Sequence, residues 1–320
     1  MKIAVVGAGA MGSLFGGLLS ISGEEVWLVD PWKEHMEAVL KKGLHIKRLR
    51  EGDTLVAHPK AVTSPDPVGP CDLVLIFVKS YVTSSAMRNA TPLIGVNTYC
   101  LTLQNGLGNI EAISEVVTAE RILAGVTAHG ATMVGPGEIV HAGQGKTIIG
   151  WPFGAEEKRE EVSERAFKKL AEIAEAFLKA GIETDISENI LVPIWEKLLV
   201  NVGINALTAI LRIPNGALLA YDETKDLVRM AVEEAASVAK AKGVPVTGDI
   251  VSHVYDVAER TGQNKSSMLQ DIIAGRKTEI GSINGMVVSE GKKLGVPVPV
   301  NEVLTDLIKA LEKRGLEENC

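Results

Sequence analysis

Hydrophobic positions alternate between strand-like and helical spacing in the first half of the chain and keep helical spacing in the second. "KIAVV" is a short β-branched run followed by glycines, the pattern of a strand buried on both faces of a parallel sheet. "SLFGGLLSISG" then carries apolar residues at helical spacing, with Gly23 as a stop. "EEVWLVD" (24–30), "DLVLIFVK" (72–79) and "YCLTLQNG" (99–106) repeat the strand signal. Strands alternating with helical segments predict a parallel sheet with crossover helices. From about 122 to 151 the chain is glycine-rich and strand-like, which predicts a partly antiparallel extension of that sheet. The run 157–180 predicts an amphipathic helix with Val162, Ala166, Phe167, Leu170, Ile173, Ala174 and Phe177 on one face and Gly181 as its left-handed cap. "IETDI" offers one more short strand. After about residue 187 helical patterns cover roughly 190–211, 222–243, 247–260, 266–291 and 301–314, with no convincing strand. The pattern predicts a mixed α/β domain over 1–186 and an all-helical domain over 187–320.

Composition narrows the function. At 320 residues the chain can form two domains of ordinary size, and 46% hydrophobic with 23% charged residues is the balance of a soluble globular protein. A formal charge of −7 and an aromatic content of 4% argue against nucleic acid as the main partner. Glycines interrupt the apolar N-terminal run, and no uninterrupted apolar stretch reaches the roughly 18 residues that span a bilayer, so no membrane partner is expected. Cys71, Cys100 and Cys320 have no metal-ligand spacing, and the six histidines include no HExxH. The expectation is a cytoplasmic protein without a metal.

Two features carry chemistry. Gly7, Gly9 and Gly12, with Ala8, Ala10 and Met11 between them, give G-x-G-x-x-G directly after a strand and at the opening of a helix. The first glycine permits a tight turn, the second lets backbone approach a pyrophosphate, and the third lets helix and strand pack closely. Asp30 ends the next strand, about where an acid binds the adenosine ribose. These signals point to an α/β N-terminal Rossmann-type dinucleotide-binding domain; a glycine-rich turn without a ligand is the alternative.

The second feature is a polar stripe in an apolar helix. In "WEKLLVNVGINAL" (195–207), Lys197, Asn201 and Asn205 recur every four residues and so share one face, with Thr208 a turn further on. In 264–285, Asn264, Ser267, Asp271, Gly275, Thr278, Glu279 and Ser282 fall within about 60° of one line at 100° per residue. Two such faces can enclose a wet pocket; they can also be solvated surfaces, or a core network pairing Lys197 with Glu279. Beside a nicotinamide, a partly buried lysine is suited to protonate the alkoxide left by hydride addition to a ketone. Burial lowers its pKa and a nearby glutamate raises it.

"GAGAMG", "LQNGLGN" (103–109), "WEKLLVNVGINALTAI" (195–210), "PNG" (214–216) and "NKSSMLQDI…KTEIGSINGMV" (264–288) occur in this order, and together they resemble the ketopantoate reductases. The resemblance spans nearly the whole chain. It implies NAD(P)H-dependent reduction of 2-dehydropantoate to (R)-pantoate, with Lys197 as proton donor and Glu279 beside it and the cofactor. It implies substrate contacts from Asn201, Asn205, Asn215, Asn264 and Ser267, a position for Asn105 where cofactor and substrate meet, and cofactor contacts from Lys79 and Ala131. The implied partner is a small-molecule substrate, with a homodimer as the candidate assembly. One departure matters: many members carry a basic residue at the end of the second strand to hold the 2′-phosphate of NADPH, the usual cofactor, whereas Asp30 favours NADH. Asp30 also gives weight to a rival on the same scaffold, an NAD-dependent reductase of another branched or aromatic 2-oxoacid. A non-enzymatic nucleotide sensor is a further rival, against which the intact Lys197 stands.

Overall fold

β1 (Lys2–Val6) is buried along all but its first residue, as its apolar run requires, and pairs in parallel with β2 (Glu25–Val29) on one side and β6 (Leu73–Ile76) on the other. The computed structural model describes residues 1–49, 52–153, 160–246 and 248–318. These divide into one unit of Met1–Gln104 and Asn109–Ile190 and a second of Asn105–Gly108 and Leu191–Cys320.

In the first unit the strands β5 (Lys60–Val62), β7 (Tyr99–Thr102), β8 (Ile122–Thr127), β11 (Thr147–Gly150) and β12 (Thr184–Ser187) complete a sheet in the order β12-β11-β8-β7-β6-β1-β2-β5. Every pair is parallel except β11 on β8. From β1 the chain runs to β2 and β5 on one side, then crosses to β6, β7 and β8 on the other. The order therefore reverses between β1 and β6, which is where open α/β sheets bind ligands. The connections include α1 (Ala10–Ile21), α2 (Lys33–Lys42), α3 (Thr83–Asn89) and α4 (Asn109–Ser114). On α5 (Glu160–Lys179), Ala166, Leu170, Ile173, Ala174 and Phe177 are buried, and Gly181 takes φ +76°. Residues 157–159 of the expected helix, and the Val162 side chain, lie outside the described residues.

The expected extension of the sheet over 122–151 needs correction. β8 and β11 join it, but β9 (Gly130–Gly135) and β10 (Glu138–Gly143) leave it. They form a second sheet with β3 (Leu44–Arg48) and β4 (Thr54–Ala57), in the order β4-β3-β10-β9. The alternating exposure of β9 and β10 explains the departure: a two-sided interior suits a run apolar on both faces, not one with a wet face. α1 lies against both sheets. A Cβ on Gly16 would meet Leu28 of β2 at 2.5 Å, and one on Gly17 would meet Ile46 of β3 at 2.7 Å, so the glycine pair is what lets α1 fit there.

The second unit is built around α6 (Leu191–Leu211), which packs against α7 (Asp222–Ala241), α8 (Ile250–Arg260), α9 (Ser267–Ile273) and α11 (Pro299–Glu318). Residue 247, expected to open the α8 helix, lies outside the described residues. By length and composition α6 is apolar enough to cross a bilayer, although polar residues interrupt its run; here it is a core helix, with Leu198, Leu199, Val202 and Leu207 at most 2% exposed. A chain of amides ties its neighbours together. Asn284, at the start of α10 (Asn284–Leu294), donates to the Val202 carbonyl (3.3 Å) and the Asn301 Oδ1 (3.0 Å), and Asn301 donates to the Glu234 carboxylate (2.8 Å).

The continuous helix expected over 266–291 is broken. α9 stops at Ile273, Gly275 takes φ +63°, and a 3₁₀ turn (Ile280–Ser282) precedes α10. Glycine adopts this left-handed conformation without Cβ strain and caps the helix. The single polar line drawn from Asn264 to Ser282 is therefore not one helix face.

Candidate active site

The glycine loop sits after β1 at the point where strand order reverses. Gly7 has φ +94°, and a Cβ there would lie 2.6 Å from the Val78 nitrogen; a Cβ on Gly12 would lie 1.9 Å from the Gly7 carbonyl oxygen. Gly9 has no neighbour within 4 Å of where its Cβ would be, so the loop is open on that side. Gly9 also caps α1 without a side-chain bond, leaving the first-turn N–H groups at Ala10 and Met11 facing an uncapped terminus. An open helix N-terminus that, among the described residues, no side chain caps fits a pyrophosphate.

Asp30 ends β2, and its carboxylate holds the loop. One oxygen accepts the Ala8 N–H (2.8 Å), the other the Trp32 N–H (2.9 Å). The other side of Ala8 is tied as well. The Gly137 N–H donates to His35 Nδ1 (2.8 Å), which leaves the proton on Nε2 facing Ser13 Oγ (3.0 Å); Ser13 in turn donates to the Ala8 carbonyl (2.9 Å). Burial pushes the His35 pKa down, while the Asp30 charge pulls it up. This brace went unread in the sequence, because His35 meets Ser13 and Gly137, groups distant from it along the chain. Lys79 is partly buried just beyond β6. Ala131 lies on β9 opposite His141, whose Nε2 is 3.0 Å from His129 Nδ1. Burial and the neighbouring His141 push His129 down to about 4.

In the helical unit, α6 carries Lys197, Asn201 and Asn205 on successive turns. Burial lowers the Lys197 pKa, the Glu279 carboxylate raises it, and the balance is about 8. Among the described residues the carboxamides of Asn201 and Asn205 have no hydrogen-bond partner, although Asn205 is only 6% exposed. Asn215 is held by its Nδ2 on Thr261 Oγ1 (2.9 Å), whereas its Oδ1 is buried and, among the described residues, accepts no bond. Buried amide groups are ordinarily paired, and among the described residues the Asn205 carboxamide and the Asn215 Oδ1 are exceptions.

Asn264 meets Asn215 through the backbone: the Asn215 N–H donates to the Asn264 carbonyl (3.0 Å) and the Gly216 N–H to the Gly262 carbonyl (3.1 Å). Ser267 is the first residue of α9 and exposed; the cap of that helix is Ser266, whose Oγ accepts the Leu269 N–H (3.1 Å) and lies 2.7 Å from Thr208 Oγ1. The fourth polar position of the α6 stripe thus pins the start of α9. Asn105–Gly108 belongs to this unit through the Leu107 N–H, which donates to the Ser282 carbonyl (2.9 Å), and through Gly106, where a Cβ would lie 2.3 Å from that oxygen. Lys197, Glu279, Asn105, Asn201, Asn205, Asn215, Asn264 and Ser267 therefore share one unit. Asp271 does not present a free polar group: it is 3% exposed and paired with Arg276 at 3.0 Å. Among the described residues no group of three or more His, Cys, Asp or Glu could hold a metal ion.

A dinucleotide-binding sheet at a strand-order switch, joined in one chain to helices bearing a depressed-pKa lysine and unpaired carboxamides, defines the class of NAD(P)-linked oxidoreductases. Residues 3–152 match the model of the family "Ketopantoate reductase PanE/ApbA" and residues 189–312 that of its C-terminal domain. The chain belongs to the ketopantoate reductase family. A 2-dehydropantoate 2-reductase of Halobacterium salinarum is 39% identical over 98% of this chain and all of its own length. The crystal structure of a PanE/ApbA family ketopantoate reductase from Ralstonia eutropha JMP134 superposes with a TM-score of 0.88 at 32% identity, covering 99% of this chain and all of that one. A ternary structure of D-mandelate dehydrogenase with NADH and anilino(oxo)acetate gives 0.88 at 31% identity, covering 98% and 99%.

Proposed function

We propose that this protein reduces 2-dehydropantoate to (R)-pantoate, a step towards pantothenate and coenzyme A, with Lys197 delivering the proton. The observation that carries the reading is the lysine itself: partly buried, with Glu279 as its counter-charge and a pKa of about 8, on the face that holds Asn201 and Asn205. A group with that pKa is largely protonated at neutral pH yet acidic enough to give its proton to a developing alkoxide. When bound, the reduced nicotinamide supplies the hydride. Lys197 protonates the former ketone oxygen; Asn201, Asn205 and Asn215 orient the oxygens of the substrate without adding charge; Asn264 and Ser267 hold its carboxylate and hydroxyl. Gly7, Gly9 and Gly12, with the N–H groups at the start of α1, receive the pyrophosphate.

The preferred cofactor in this reading is NADH. The Asp30 carboxylate already accepts two backbone N–H groups and keeps lone pairs for ribose hydroxyls, whereas a 2′-phosphate would meet a like charge. The same bonds mean that Asp30→Arg, introduced to favour NADPH, also loosens the loop and weakens both dinucleotides. A reducing cytoplasm suits the free, buried Cys71 and Cys100, whose pKa values burial pushes up to about 11 and about 12.

A second reading is favoured by the match to D-mandelate dehydrogenase: reduction of an aromatic 2-oxoacid on the same scaffold. Catalytic efficiency with 2-dehydropantoate, 2-oxoisovalerate and phenylglyoxylate, each with NADH and NADPH, separates the two. The first reading expects 2-dehydropantoate with NADH to lead. A lead for phenylglyoxylate overturns it, and a lead for NADPH overturns the role given to Asp30.

A further inference from the structure

The segment that carries Glu279 has no helix ladder of its own. It lies between the end of α9 and the 3₁₀ turn, and Ala274–Lys277 before it are exposed. Its order comes instead from α11. One oxygen of Glu312 accepts both the Thr278 backbone N–H (2.7 Å) and the Thr278 hydroxyl (2.6 Å). With its proton committed to the carboxylate, that hydroxyl offers a lone pair to the Ile280 N–H (3.2 Å). Thr278 is 2% and Glu279 8% exposed. Beyond Glu279, its carbonyl accepts the N–H groups of Ser282 (3.0 Å) and Ile283 (3.2 Å). Glu279 is thus flanked on both sides by bonds that leave its backbone little freedom, and those on the Thr278 side hang from Glu312.

We propose that Glu312 is a positioning residue for the proton donor: through Thr278 it holds the Glu279 carboxylate at Lys197. The inference rests on the reading of Lys197 as the acid. Glu279 is the charge that acts on Lys197. The other charged groups on the elements around α6 are engaged elsewhere or turned outward. Glu234 of α7 accepts the Val300 and Asn301 N–H groups, while Lys225 and Arg229 pair with Asp222 and Asp226. His253, Asp256, Glu259 and Arg260 of α8 are exposed, as are Asp306 and Lys309 of α11. Asp271 of α9 pairs with Arg276, Glu302 of α11 with Lys292, and Glu196 on α6 itself is partly exposed.

The sign of the effect is fixed. Glu279 raises the Lys197 pKa, so releasing Glu279 lets it fall, and the protonated form needed for turnover is lost at lower pH. Glu312→Leu and Thr278→Val both cut the connection; Glu312→Gln and Thr278→Ser retain an acceptor and a hydroxyl. In the full-length enzyme at saturating substrate and cofactor, the alkaline limb of kcat should move down by roughly one pH unit in the first pair and stay near its wild-type position in the second. NMR titration of lysine-labelled, unliganded protein should show the Lys197 signal moving with it. Glu279→Gln should lower the limb alone, and adding Glu312→Leu should lower it no further. Glu312 is only partly buried, so Glu312→Leu keeps the test available should Thr278→Val not fold. A limb unmoved by Glu312→Leu, while Glu279→Gln shifts it, overturns the role of Glu312. A limb that persists in Lys197→Ala overturns the reading of Lys197, and this inference with it.

Discussion

The glycine loop after β1 and the polar face of α6 both present hydrogen-bonding groups, but they use different parts of the chain. In the loop the groups are backbone amides, and side chains matter by their absence: Gly9 leaves open space, and Gly7 and Gly12 admit backbone where a Cβ would collide. Asp30, Ser13 and His35 act on Ala8 from behind. On α6 the groups are side chains, and the backbone is fully used by the helix. The lysine and carboxamides stand out from an apolar helix, and a second layer fixes their neighbours: Thr208 on Ser266, Asn215 on Asn264, Glu312 on Thr278. A site made of backbone tolerates no bulk and titrates little. One made of side chains tolerates truncation structurally and loses its chemistry.

The contrast can be broken most severely at Lys197. Lys197→Ala should lower kcat on the order of 10² to 10⁴, the usual worth of a positioned acid, while the NADH dissociation constant measured by fluorescence stays near wild type. Turnover within a few-fold of wild type would remove Lys197 from the mechanism. Next in size is Gly12→Ala, whose methyl would stand 1.9 Å from the Gly7 oxygen. It should cost about 3 kcal/mol in stability or dinucleotide binding, read by thermal melts with and without NADH, and unchanged melts would show that the loop is less tightly packed than described. A finer division separates adjacent serines. Ser266→Ala should cost about 1 kcal/mol of stability as a lost cap, whereas Ser267→Ala should raise KM with an unchanged melting temperature; the reverse pattern would exchange their roles. The smallest effect lies at Arg212, which directly follows α6 and has φ +57°. Arg212→Gly should raise stability by roughly 0.5 to 1 kcal/mol, the relief of left-handed strain less the added freedom of the unfolded chain. A loss of stability would mean that the arginine side chain holds something the backbone strain conceals.

Much of this was legible in the sequence, unevenly. Strands buried on both faces announce themselves by apolar runs, so β1, β2, β6 and β7 were read within a residue or a few. β3 and β4 were missed and β9 and β10 misplaced, because half-exposed strands with mixed composition give a weak period-two signal. The break in the 266–291 helix was hidden for a related reason: its apolar residues keep helical spacing across Gly275, and periodicity does not register a single left-handed residue. Lys197, Asn201 and Asn205 stood out because they interrupt an apolar helix at regular spacing. Glu279 was picked out on the polar line from Asn264 to Ser282 and as a partner for Lys197 in a core network, whereas its place beside the cofactor came from the resemblance. The bracing groups Ser13, His35, Ser266 and Glu312 gave no signal, because what they touch is backbone or a hydroxyl distant in sequence.

Turnover depends on the proton that Lys197 gives up, and the pH dependence of kcat in the unmodified enzyme tests that role most directly. With substrate and NADH saturating, kcat should be level through neutral pH and fall about tenfold per unit at alkaline pH, above a lysine pKa that burial holds below its ordinary value and Glu279 keeps from falling further. In Lys197→Ala the profile should be low and flat over the same range. A wild-type profile that stays level to pH 10, or a fall that survives the loss of Lys197, would contradict the assignment of that lysine as the acid.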